Sequence, residues 1–95
     1  MEGGERFNIM KIEVRKPTKQ EKENMFKEPI WTCEISTFPY HYDERERCFI
    51  LEGDVTVSSA EQTISFGPGD YVIFPKGLDC TWDVKKPVRK HYLFG

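Results

Sequence analysis

The chain has little of what marks several protein classes. It contains no stretch of about 18 or more apolar residues, so no segment reads as a membrane-spanning helix. The opening residues MEGGERFNIMK have no apolar centre of the kind a secretory signal needs. It lacks a basic surplus: 14 Lys and Arg stand against 16 Asp and Glu, a formal net charge of −2. A chain that holds nucleic acid or an anionic membrane by charge needs the opposite balance, so neither is an expected partner. Cysteine is sparse and odd in number. Cys33, Cys48 and Cys80 form no C-x-x-C pair and read as reduced thiols in a cytoplasmic chain rather than as a disulfide framework. There is no internal repeat and no low-complexity tract.

What is present is aromatic and short-ranged. The 95 residues suffice for one domain, since two halves would each be too small to bury a core. Aromatic residues make up 14% of the chain and supply most of its buryable area. The core they can build is thin, and self-association would help it. Residues 1–9 are polar and read as a flexible extension, whether tag, alternate start or native tail. Residues 10–95 read as a single domain. Met10, Ile12 and Val14 alternate with charged residues, giving a strand able to pair with a neighbour's edge, so a homodimer is expected.

One segment reads as helix. Thr18 and Glu21 have capping-box spacing, and Pro17 and Pro29 bracket at most two or three turns, with Met25 and Phe26 expected to face the core. Nearly everything else reads as short strands. Trp31, Cys33 and Ile35 alternate, and the parity then switches to Phe38, Tyr40 and Tyr42, which predicts a bend near residues 36–39. Residues 43–45 form a polar turn, residues 58–62 a hairpin tip, and Gly67–Asp70 a strong turn signal. Tyr71–Phe74 is a buried strand stopped by Pro75. Cys80, Trp82 and Val84 alternate, Lys86 and Pro87 predict a break, and residues 88–94 close the chain. About eight or nine short strands with turns between them predict an all-β sandwich, jelly roll or closed barrel.

Two spacings go further. Glu46 is followed after six residues by Gly53, and Gly69-DYVIF-Pro75-Lys-Gly77-Leu-Asp-Cys80 reads G-x(5)-P-x-G-x(2)-C. Together they resemble the two cupin motifs. The resemblance implies a single-domain cupin jelly-roll barrel (a double-stranded β-helix) with one short N-terminal helix. The stretch Tyr42–Gly53 and the run FPKGLDCTWDV look more specifically like small cupins grouped with (S)-ureidoglycine aminohydrolase cupin domains. Many cupins hold Mn, Fe, Ni or Zn with three His and one Glu. Here Glu46 stands at the glutamate position and Cys80 where the second motif has its His. The His pair of the first motif falls on Tyr40 and Tyr42 in one register, and on Pro39 and His41 in the other. Apolar parity favours the first and turns His41 outward. In either register at least two ligating histidines are missing, so no firmly held metal is expected. A divalent transition metal, if bound, would use His41, Glu46 and Cys80.

These positions define the candidate site. Glu46 is expected to point inward as a general acid/base or hydrogen-bonding anchor, with burial penalising its charge unless a cation compensates. Cys80 is either a small core residue or a thiol able to act as nucleophile or metal ligand. Cys48 shares the parity of Glu46 and reads as core or pocket wall. Tyr40, Tyr42 and Trp82 would line the pocket. His91 is either structural or a partner for Glu46. Lys85, Lys86, Arg89 and Lys90 read as a solvated basic patch. The reading that results is a small-molecule-binding cupin. The alternative is a metal-dependent or thiol-dependent enzyme acting on a small nitrogenous metabolite.

Overall fold

Strands form where apolar alternation lies between turn-forming residues. The computed structural model describes residues 10–95; the expected extension over 1–9 lies outside the described residues. In chain order the elements are β1 (Glu13–Arg15), α1 (Lys19–Met25), β2 (Ile30–Cys33), β3 (Ser36–His41), β4 (Glu46–Ser58), β5 (Thr63–Phe66), β6 (Tyr71–Phe74) and β7 (Asp79–Phe94). The result is mostly β with one short helix, as the sequence implies.

The capping box at α1 is complete. Glu21 N donates to Thr18 Oγ1 at 3.1 Å, and Thr18 N donates to the Glu21 carboxylate at 2.9 Å. Arg15 clamps the same carboxylate through both terminal nitrogens at 2.8 Å, tying α1 to β1. The helix buries Met25, but Phe26 is half exposed, against the expectation that both face the core. Phe26 ends the helix and lies edge-on to Phe49 and His91 on the outside of the sheet.

The strands run in the order β1-β6-β4-β7-β2, with β3 also pairing β7 and β5 also pairing β4. Every pairing is antiparallel. The two long strands, β4 and β7, pair with each other along one edge and change partner along the other. On its free edge β4 passes from β6 to β5. On its free edge β7 passes from β3 to β2. That exchange lets one sheet wrap around an inner layer of side chains.

The wrapping requires a bend, and the ladder between β4 and β7 shows where it lies. Register shifts fall between Ile50 and Val55, opposite Lys86–Arg89. Gly53 occupies the bend with φ of 125°, and a Cβ built there would stand 2.9 Å from Val88 Cα. Only glycine permits that backbone angle and that approach. Pro87 lies in the same irregular stretch. The predicted break at Lys86–Pro87 is therefore a kink inside one continuous strand, because a proline is tolerated where the ladder is already out of register.

One further expectation is adjusted by the pairing. The parity switch falls at Glu34 and Ile35, between β2 and β3, slightly before the predicted bend. Ile35 is accordingly exposed rather than continuing the inward row of Trp31 and Cys33. The N-terminal alternation pairs with β6 on one side and stands at the end of the strand order.

The inner layer holds the main core, built from Ile50, Val55, Val57, Val72, Phe74, Trp82, Val84 and their neighbours. Its aromatics are ordered by ring geometry. Tyr42 stacks on Phe74 at 4.7 Å between centroids, and Phe66 meets Trp82 edge-on at 5.6 Å. A smaller outer cluster of Met25, Phe49 and Tyr71 seats α1 on the outside of the sheet.

Candidate functional site

One end of the inner layer is not filled. A cavity of about 220 Å³ opens there, with β2 supplying Trp31, β3 supplying Phe38 and Tyr40, and β7 supplying Trp82 and Tyr92. Tyr42 and Phe94 complete the wall, and Glu46 and Lys90 bring charge into it. Alternation along each strand explains the convergence: Phe38 and Tyr40 share one face of β3, and Trp82, Lys90 and Tyr92 share one face of β7.

The charged pair is the centre of the site. Lys90 Nζ donates to Glu46 Oε2 at 2.8 Å, and the two side chains are only 6% and 4% exposed. The same ammonium lies 4.9 Å from the Trp31 ring centroid and 4.8 Å from that of Trp82. Cation–π attraction thus adds to the ion pair. Burial alone pulls the Lys90 ammonium down. The nearby Cys48 and Glu46 pull it up by more, and its net shift is upward. Cys48 is itself an un-ionised thiol at neutral pH, so the Glu46 carboxylate is the partner that acts there. This is the cation that the inward placement of Glu46 called for.

The phenols stay protonated. Burial, then the Glu46 charge, pushes both Tyr40 and Tyr42 upward. The Trp82 indole N–H donates to the Tyr42 hydroxyl oxygen at 3.1 Å, which leaves the Tyr42 O–H available as a donor.

The structure thus brings together Tyr40, Tyr42, Glu46 and Trp82, in the register that turns His41 outward. The other predicted positions are elsewhere. His41 is on the outer surface, with Nδ1 2.7 Å from Asp79 and Nε2 3.6 Å from Asp43. His91 is under the helix, where Nδ1 meets the Glu28 carbonyl at 2.9 Å; it does not reach Glu46. Lys90, one residue earlier and on the opposite face of β7, takes that place. It is not part of a solvated patch. Cys80 and Cys48 do not line the cavity, and their thiols point to the carbonyls of Tyr40 and Val72, each at 3.6 Å.

Neither thiol is primed for chemistry. Burial pushes Cys80 up to about 11 and Cys48 up to about 12. Iodoacetamide at pH 7.5 should therefore modify Cys33 first, the one cysteine outside the buried set. Cys80 and Cys48 should stay unmodified in the folded protein, as read by peptide mass mapping. Fast alkylation of Cys80 at that pH would contradict the geometry.

A metal held by the histidine and glutamate set of other cupins does not fit these residues. The Glu46 carboxylate is taken by an ammonium, His41 faces away, and the Cys80 thiol points to the Tyr40 carbonyl outside the cavity. Among the described residues, no three His, Cys, Asp or Glu side chains cluster so as to share an ion. Likewise, no helix among them is long and apolar enough to cross a membrane.

Four site residues escaped the sequence reading besides Lys90: Trp31, Phe38, Tyr92 and Phe94. A signal for several of them exists. The even positions Cys80, Trp82, Val84, Val88, Lys90 and Tyr92 keep one parity through Pro87, so an unbroken strand places Lys90 inside.

A bent antiparallel sheet wrapped around an aromatic pocket, entered by a motif-one glutamate, defines a cupin. The chain belongs to the EutQ-like cupin domain family, whose model matches residues 20–92. It is similar to a DUF861 family protein from Thermotoga maritima, with 42% identity and a TM-score of 0.85 over 90% of this chain and 100% of that one. A putative ethanolamine utilization protein Q from Salmonella typhimurium is 25% identical with a TM-score of 0.63, over 68% of this chain and 53% of that one. The polyketide cyclase RemF from Streptomyces resistomycificus shares the fold at 14% identity and a TM-score of 0.54, over 99% of this chain and 79% of that one. No curated protein matches.

Proposed function

We propose that this cupin binds a small molecule in the aromatic cavity, where Glu46 and Lys90 orient it. The carrying observation is the placement of a buried ion pair against open, aromatic-walled space. A core shaped for stability alone would fill that space with side chains. A few polar groups set in an apolar concavity is the usual composition of a ligand site.

The volume limits the ligand. Drug-sized pockets begin at about 300 Å³. The cavity of about 220 Å³ suits a smaller metabolite. The likeness of Tyr42–Gly53 and FPKGLDCTWDV to (S)-ureidoglycine aminohydrolase cupin domains supports a nitrogenous one. Any reaction in this pocket would rely on Glu46 and Lys90 for proton transfer, since the Cys80 thiol faces a backbone carbonyl.

Trp31 and Trp82 are the two tryptophans of the chain and both face the cavity, so their indole N–H resonances report on it selectively. Titrating small flat heterocycles and amides should shift both resonances together. Tyr40→Ala removes a half-exposed wall residue and should weaken the binders by about tenfold while the fold stays intact. A panel that moves neither indole at millimolar concentration would rule the proposal out.

A further inference from the structure

Resting on the proposal that the aromatic cavity is a ligand site, we infer that its ligand carries no net charge and presents a hydrogen-bond donor beside an acceptor on a flat body. A carboxamide, a lactam or a ring N–H next to a carbonyl has this chemistry.

The argument begins with charge. The cavity already holds one cation and one anion, 2.8 Å apart and almost fully buried. An anionic ligand beside this pair leaves one uncompensated negative charge among aromatic rings, and a cationic ligand leaves one positive charge. Either arrangement is penalised by the low dielectric. A neutral ligand leaves the balance as it stands.

An aromatic box with a carboxylate is a common receptor for organic cations. Here that role is filled from within. Lys90 already occupies the ring faces of Trp31 and Trp82 and the carboxylate of Glu46. A second cation would compete with a covalently tethered one for the same electrostatic partners.

The remaining hydrogen-bonding capacity gives the pattern. An ammonium has three donors, and Lys90 Nζ makes one hydrogen bond among the described residues, to Glu46 Oε2. Glu46 lines the cavity, and its Oε1 accepts no hydrogen bond from the described residues, so it is the carboxylate oxygen left for a ligand. One acceptor without a partner therefore stands next to an ammonium whose remaining donors have no partner but the ring faces of Trp31 and Trp82, a weaker contact that a ligand carbonyl can replace. A ligand that donates to Glu46 and accepts from Lys90 satisfies both at once. The aromatic walls, with Phe38 stacked on Trp82 at 6.0 Å, favour a flat body.

Three probes of one shape and different charge test this: benzamide, benzoate and benzamidinium. Each is titrated into the whole chain at neutral pH and followed by the indole resonances of Trp31 and Trp82. Benzamide should bind at least tenfold more tightly than either ion. Glu46→Gln leaves the ammonium unbalanced and should turn the preference to benzoate; Lys90→Met should turn it to benzamidinium. Wild-type protein that prefers an ion, or binds all three alike, overturns the inference while the pocket stands as a ligand site. Failure of all three to bind wild type overturns the inference together with the proposal beneath it. The wild-type comparison decides by itself if either variant does not fold.

Discussion

Replacing Lys90 with methionine should cost this protein on the order of 3–5 kcal/mol. That is a large fraction of the roughly 5–15 kcal/mol that holds a domain together. The expectation follows from what remains behind. Glu46 is 3% exposed, and its Oε2 would lose the only ammonium within hydrogen-bonding distance among the described residues. Urea unfolding followed by tryptophan fluorescence at neutral pH measures the loss. Removing both partners, as Glu46→Leu with Lys90→Met, should recover most of the loss or exceed wild type, because a packed apolar pair avoids desolvation. A single-variant cost below about 1 kcal/mol would mean that the pair is solvated, as surface pairs are.

The second large effect is expected at Gly53. Alanine there meets two penalties. The φ of 125° lies where side chains are rarely found, and the added carbon would stand 2.9 Å from Val88 Cα, a backbone atom that cannot swing aside. Backbone strain of this kind costs about 1–3 kcal/mol. Overpacking typically adds a similar 1–3 kcal/mol. Together they predict about 2–6 kcal/mol, with Tm falling by roughly 4–8 °C for each kcal/mol in a domain of this size. Gly69→Ala is the matched control. Its φ is 88°, but the nearest atom is the mobile Nζ of Lys16 at 3.5 Å. It should show the conformational part alone, at about 1–2 kcal/mol. Equal melting points for the two variants would remove the close crossing of β4 and β7 as the cause.

Much of the fold was legible because its signals are local. The capping box at Thr18 and Glu21, the strand Tyr71–Phe74 between Gly69 and Pro75, and the hairpin tip at 58–62 each depend on neighbouring residues. The inward turn of Glu46 and the outward turn of His41 followed from motif spacing and parity. Lys90 was hidden because its environment is not local. Its chain neighbours Arg89 and Lys86 suggest a solvated run, whereas its partner Glu46 is 44 residues away. The same strand carried a second disguise. Pro87 suggests an ending, and only the register shift against β4 shows how a strand passes through it. Phe26 failed for a third reason. It ends the helix, where the apolar face turns off the sheet, and Met25 fills the contact.

The central position of β7 also sets the order in which this chain can assemble. A ribosome delivers the N-terminal elements first. β2 and β3 pair with β7 and with no other described strand, and one whole edge of β4 waits for it too. β7 is the last described element to emerge. Until it does, Trp31, Phe38 and Tyr40 belong to strands without a ladder, and Glu46 has no ammonium. The pocket therefore cannot form until residues 79–94 have joined β2, β3 and β4.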